Sequence, residues 1–246
     1  MVRRHQTGPK AVRSGIVDIW NAFMLEGASY AEHDIPICPT TARSYPSRLV
    51  SWPEAKRLHK KALRRGDKEY KINAYVHFYV DDAKFDGIKS SIWLFPWKAE
   101  KIIRHFAGMI TPDFSTCQDF PEPIKLFATY RMRAFGYWMG TLGIEVINNV
   151  RWGSRETWDY CFAGIEKHTI VAVGAIASGL RKVVNRPLFE DGLVEMAARL
   201  KPTALVVYGS ANYSCFNDLA ERGITVIQFD SETSQAYAGV MRHVQD

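Results

Sequence analysis

The 246-residue sequence has no apolar run approaching the roughly 20 residues that a membrane-spanning helix requires. Its basic start, Met1-Val2-Arg3-Arg4-His5, is not followed by an apolar stretch, so a secretory signal is not expected and a cytoplasmic setting is. Cysteine is scarce. Cys38, Cys117, Cys161 and Cys215 stand far apart, with no Cys-x-x-Cys pair and no histidine at ligand spacing, which argues against a disulfide scaffold or a zinc knuckle. Tyr208-Gly209-Ser210 is neither a Walker loop nor a dinucleotide-binding fingerprint, and no Gly-x-Ser-x-Gly elbow is present, so a hydrolase triad has no positive support.

What is present reads as a folded α/β protein. The chain is 47% apolar and 24% charged, which is ordinary for a globular domain and unlike a disordered one. Aromatic residues reach 13%, with seven tryptophans, so a ring-rich core or pocket is expected. The formal net charge is +6. Much of the excess falls in a polar arm over residues 1–14 and in a run of Lys56, Arg57, Lys60, Lys61, Arg64, Arg65 and Lys68. That run predicts a helix with one strongly basic face. Such a face is either simply solvated or a contact for nucleic acid or another polyanion.

Residues 15–246 are expected to form a single α/β domain. Its first part, to about residue 55, carries Pro36, Pro39, Pro46 and Pro53 and should be irregular, with one short strand near Ile35 to Cys38. A helix then runs from about Pro53 to Arg65, proline being favoured in a first turn. Beyond residue 72, apolar strands and amphipathic helices alternate. Strands are expected at 72–80, 106–110, 144–150, 169–176, 203–208 and 224–229. Helices are expected at 121–142, 154–162, 187–200 and 217–222, with a further helical stretch interrupted at Pro96. Strands apolar on both faces and separated by helices mean a mainly parallel sheet of about six βα units. Either a TIM-like partial barrel or an open Rossmann-like sheet satisfies the pattern.

Parallel α/β proteins carry their sites where strands end, because loops and helix N-termini converge on that rim. The strand ends here supply His77, Tyr79, Asp81 and Asp82; then Asp113 and Ser115; then Asn149, Arg151 and Trp152. Gly174 and Ser178 follow, then Tyr208, Gly209 and Ser210, and finally Asp230 and Glu232. Asp81 and Asp82 are either helix caps or functional carboxylates. Asp82 with Asp113 could hold a metal or divide acid and base roles. Pro112 stiffens the chain ahead of Asp113. Asn149 and Arg151 lie on the same side of an extended segment and suit a phosphate or carboxylate, or a structural hydrogen bond. Gly209 marks a sharp turn or a close approach to a ligand. Arg131 and Arg133 fall within an apolar helix and require an anionic partner, for which Asp113 is a candidate.

At these residues the chain resembles a known family, domain of unknown function 4417, whose members occur in bacteria, archaea, phages and other mobile elements. The resemblance runs from about Asn21 to Phe229. Its carriers are Glu26-Gly27-Ala28-Ser29-Tyr30, Ile35-Pro36, His77-Phe78-Tyr79 with Asp81-Asp82, and Pro112-Asp113-Phe114-Ser115. They continue with Tyr130-Arg131-Met132-Arg133, Gly136-Tyr137-Trp138, Asn149 with Arg151-Trp152-Gly153, and Val207-Tyr208-Gly209-Ser210. The resemblance implies that the strand-end residues form one recurring pattern in a phage or mobile-element setting, and it brings no activity, cofactor or metal with it. Three functions fit this pattern. The first is an enzyme acting on a nucleotide or nucleic acid, with Asp113, Asp82 and Asp81 as catalytic candidates. The second is a non-catalytic nucleic-acid-binding protein working through the basic helix, and the third a module that engages a host protein.

Overall fold

The computed structural model describes residues 18, 20–176, 178–232 and 234; the basic arm over 1–14 lies outside the described residues. Seven strands form one sheet: β1 (Leu49–Ser51), β2 (Ile72–His77), β3 (Phe106–Ile110), β4 (Glu145–Asn149), β5 (Ile170–Gly174), β6 (Ala204–Tyr208) and β7 (Thr225–Phe229). Every neighbouring pair is parallel, and the spatial order is the chain order. Among the described residues six α-helices run between them: α1 (Trp52–Arg64), α2 (Pro96–Ile103), α3 (Glu122–Thr141), α4 (Trp158–Cys161), α5 (Arg186–Leu200) and α6 (Ser214–Glu221).

Chain-order pairing decides between the two architectures. Each crossover moves one strand along in the same direction, so right-handed connections place every helix on one face. A doubly wound sheet reverses direction at a switch point, and this sheet has none. The uncovered face then has to curl upon itself to bury its side chains. It does: Tyr75, Ile110, Ile147, Ala172 and Val206 pack as one cluster, with Leu49 of β1 and Phe229 of β7 against it. The His77 and Tyr208 rings, from β2 and β6, have centroids 4.2 Å apart, whereas strands four apart in a flat sheet lie about 19 Å apart. The sheet is a half-barrel.

Alternation along each strand feeds the two faces. In β5 and β6, Val171, Val173, Leu205 and Val207 face outward onto Leu193 and Met196 of α5 and Phe216 and Leu219 of α6. In the first half, Val76, Met109 and Val146 meet Met132, Phe135 and Met139 of α3 and Ile103 of α2. The curl leaves no room for a side chain at Gly174, where a Cβ would stand 2.7 Å from the Tyr79 ring.

Three elements differ from the sequence expectation. The seventh strand, β1, lies in the proline-rich segment that was expected to be irregular; it is only three residues long, too short to show a period. The segment at Ile35 to Cys38 forms isolated bridges instead of a strand, Pro36 to Tyr30 and Cys38 to Ile165. Pro96 begins α2 and does not interrupt it, since a proline in the first turn removes no helical hydrogen bond. No described helix is long and apolar enough to cross a membrane.

Candidate functional site

The C-terminal rim of the half-barrel holds a cleft of about 720 Å³, within the range of small-molecule sites. Tyr79, Asp81 and Asp82 after β2, Asp113 and Ser115 after β3, and Arg151 and Trp152 after β4 all line it. Gly174 at the end of β5 and Ser178 after it join them, so nine of the residues expected from strand ends are brought together.

Asp113 is the centre of the cluster. It is 8% exposed. Its Oδ1 accepts from Asn149 Nδ2 at 2.7 Å and its Oδ2 from Arg151 Nη1 at 2.5 Å. Tyr79 Oη donates to Asn149 Oδ1 at 3.0 Å, extending the chain of contacts to β2. Burial raises the Asp113 carboxyl above the ordinary aspartate range and the Asp82 charge adds to this, while Arg151 and Asn149 pull the other way. For Arg151, burial works against the charged form but is outweighed by the carboxylates of Asp113 and Asp82, so it stays protonated. Only one guanidinium nitrogen of Arg151 is engaged by protein among the described residues, and the side chain keeps 21% of its surface open.

The other two carboxylates have different tasks. Asp81 caps the short 3-10 turn that follows it, accepting from the Ala83 N–H at 2.8 Å. Asp82 clamps the neighbouring loop through the Ser115 N–H at 3.0 Å and the Ser115 hydroxyl at 2.9 Å. Among the described residues no three His, Cys, Asp or Glu side chains converge as a metal centre. Trp152 forms a wall, held by Nε1 donation to the Leu188 carbonyl at 3.3 Å and packed on Phe189 with centroids 5.0 Å apart. A Cβ at position 192 would lie 2.0 Å from that indole nitrogen, so the glycine in α5 is needed for this packing.

The two helical arginines do not meet Asp113. Arg131 pairs with Asp86 at 2.6 Å and lies over the Phe114 and Phe127 rings, away from the cleft lining. Arg133 is fully buried and pairs with no carboxylate among the described residues. Its guanidinium donates to three backbone carbonyls: Ala163 at 3.2 Å, Asn149 at 3.0 Å and Cys161 at 3.0 Å. Carbonyl dipoles stand where an anion was expected, and the contact to Asn149 fixes the strand end that presents Asn149 to Asp113. Burial lowers the Arg133 pKa to about 10, which leaves it charged at neutral pH.

His77 and Tyr208 also fall outside the main cleft. With Arg48, Glu54, Phe229 and Glu232 they line a second cavity of about 620 Å³ between the edge strands β1 and β7. The Tyr79 ring stacks on Tyr208, centroids 5.3 Å apart, and divides the two spaces. Gly209 serves the turn: its φ is +116° and a Cβ there would meet Ile176 at 2.9 Å. Ser210 is exposed and caps its own loop through the Asn212 N–H. Further lining residues, among them Thr116, Cys117, Phe120, Leu188 and Phe189, are not marked in the sequence because they sit in loops or on a helix turn beyond the strand ends.

The basic helix is α1. Lys60, Lys61, Arg64 and Arg65 are exposed, whereas Arg57 is paired with Glu54 at 2.6 Å and Lys56 donates to the Lys84 carbonyl at 3.1 Å. Lys56 thereby ties the start of α1 to the loop that carries Asp81 and Asp82.

His77 provides a stability test of this rim. It is buried, its Nδ1 accepts from the Tyr79 N–H at 3.2 Å, and burial lowers its pKa to about 3. The folded state therefore stays unprotonated where the unfolded chain binds a proton. The stability this residue contributes is present above the unfolded pKa and is lost as pH falls from about 6.5 toward 3. Urea unfolding should show the stability gap between wild type and His77→Gln shrinking by about 2–3 kcal/mol between pH 7 and pH 4.5. A constant gap would mean that the imidazole is reached by solvent.

Fold and site together define an all-parallel α/β half-barrel with an aromatic-walled, carboxylate-rich cleft at its C-terminal rim. A family model described as "Domain of unknown function (DUF4417)" matches residues 29–230, and the chain belongs to that family. The match begins at Ser29, so Glu26, Gly27 and Ala28 precede it. The gene 1 protein of Mycobacterium phage D29 is 29% identical over 204 residues, covering 82% of this chain and 70% of that protein. The gene 1 protein of Mycobacterium phage L5 is 30% identical over 212 residues, covering 86% of each. Both are phage proteins, which supports the phage or mobile-element setting. No solved structure matches.

Proposed function

We propose that the cleft is an active site for a nucleotide or nucleic-acid substrate, with Asp113 as its acid–base group. The observation that carries this reading is the Asp113 clamp: a carboxyl raised by burial, oriented by two donors, at the floor of an open cleft. Perturbed carboxyls held at fixed orientation in a cleft are what proton transfer requires. Aromatic walls from Tyr79, Phe120, Trp152 and Phe189 suit a planar base. Thr116 Oγ1 is buried with no partner among the described residues and supplies a spare hydroxyl in the same lining. The charges then assign the orientation. Asp81, Asp82 and Asp113 outnumber Arg151, so the floor repels a phosphate and faces the uncharged base and sugar. Chemistry at the glycosidic bond or the base follows, with phosphates directed outward.

The test is incubation of the full chain with mononucleotides and with single- and double-stranded oligonucleotides, read by mass spectrometry for loss or change of a base. Intact substrates under all conditions, with no binding at low salt, would remove the reading.

A second reading has its own observation. The exposed cations of α1 would hold nucleic acid without catalysis, and phosphate contacts make such binding steeply salt-dependent. Replacing Lys60, Lys61, Arg64 and Arg65 together with alanine should lower the slope of log affinity against log salt by up to about 3–4 for duplex DNA, as measured by fluorescence anisotropy. An unchanged slope shows that α1 is only a solvated face.

A further inference from the structure

The loop between β5 and α5 forms one lip of the cleft, with Ile176, Ser178, Gly179, Asn185 and Leu188 in the lining. Its tip is apolar and turned outward: Val183 is 75% and Val184 89% exposed. Exposed valines cost solvation, and this pair is held out by design of the loop. Gly179 adopts φ +87°, the Lys182 N–H donates to the Gly179 carbonyl and the Asn185 N–H to the Lys182 carbonyl, making two consecutive tight turns. Fully buried Leu180 anchors the base of the tip, and its carbonyl accepts from Arg186 Nε at 3.0 Å. Exposed Arg181 and Lys182 precede the valines, and residues 176–189 contain no Asp or Glu. The tip is thus a pre-formed apolar wedge flanked by cations, beside a cleft of single-nucleotide size.

We infer that Val183 and Val184 are inserted into a base stack, so that a duplex is the substrate and one nucleotide is extruded into the cleft. This rests on the nucleic-acid reading of the Asp113 cleft and names the form of that substrate. Enzymes that act on a base within a duplex have to remove it from the stack, and an apolar side chain inserted between base steps offsets part of the lost stacking. The two requirements, a wedge and a receiving pocket, meet here on adjoining residues. Arg181 and Lys182 are placed to contact the phosphates flanking the opened step, where positive charge is attractive to any sequence. An anionic membrane would also attract a basic apolar tip, but a bilayer has no use for the aromatic-walled cleft behind it.

The experiment uses the full chain with a duplex carrying 2-aminopurine, whose fluorescence rises when it is unstacked. Wild-type protein should raise the signal, and the Val183→Ser/Val184→Ser variant should reduce that rise by about fivefold or more while duplex affinity changes less than about threefold, because phosphate contacts supply most of the affinity. Both positions are exposed, so the variant keeps its fold. An unaltered rise in the variant overturns the wedge while leaving the cleft reading intact. Binding of the wild type to phosphatidylserine vesicles that the variant loses, with equal 2-aminopurine signals, assigns the tip to a membrane and likewise overturns it. No wild-type binding to duplex or single strand at low salt removes the nucleic-acid reading itself, and the wedge with it.

Discussion

Asp113→Asn should reduce turnover of the nucleic-acid substrate by about 10²- to 10⁴-fold, the range that a positioned acid–base group contributes. The substitution keeps the shape and one acceptor oxygen, but removes the charge and the exchangeable proton. Its structural cost is small by comparison. Arg151 loses its ion-pair partner but retains an open surface toward the cleft, so water takes over the donors and stability should fall by no more than about 2 kcal/mol. Two measurements separate chemistry from folding. Urea unfolding should show a native-like transition, and the wild-type pH–rate profile should carry a limb, above the ordinary aspartate range, that the variant lacks. A variant that turns over at the wild-type rate would leave Asp113 a structural ion pair.

Replacing Arg133 with methionine should cost about 3–5 kcal/mol of stability, since three buried carbonyls lose their donor at about 1–3 kcal/mol each before relaxation. The side chain is fully buried and each of its three contacts is to a backbone carbonyl, of Ala163, Asn149 and Cys161. Methionine fills similar volume but leaves three carbonyl oxygens without a donor, and each orphaned buried acceptor is costly. Lysine is no remedy, because one ammonium cannot reproduce the fork that spans α3, the end of β4 and the end of α4. Chemical denaturation of Arg133→Met and Arg133→Lys checks both statements; a loss below about 1 kcal/mol for either would mean that the carbonyls find water. Since Asn149 is one of the three, the surviving fold should also show weaker substrate binding.

Much of the rim could be read in the sequence because strand ends are marked by composition. The apolar run at Ala204–Tyr208 stops at Gly209-Ser210, and Asp81, Asp82, Asp113, Ser115, Arg151 and Trp152 likewise stand close behind the ends of β2, β3 and β4. The half-barrel itself was one of two choices, since order within the sheet leaves no trace in hydrophobic periodicity. Leu49–Ser51 escaped notice because three residues among prolines carry no period. Arg131 and Arg133 call for partners within their apolar helix, but the candidate the sequence offers, Asp113, is the partner of neither. Asp86 lies in a loop with no pattern, and carbonyl partners have no side-chain signature. The separation of His77 and Tyr208 from the main cleft depends on Tyr79 standing between the two cavities, a matter of ring placement alone.

The succession of strands in chain order has a consequence for how the molecule comes into being. Each new strand needs only the one before it as the template for its ladder, so the sheet can be laid down in chain order, and the most local pairings are the fastest to form; the curl that brings Tyr208 onto His77 closes afterwards. A ribosome delivering this chain from its N-terminus would release β1 to β4 with α3 as a closed packing unit before β5 emerges. The clamp on Asp113 then completes as soon as β4 has docked, and the lip that carries Val183 and Val184 emerges onto a floor already set.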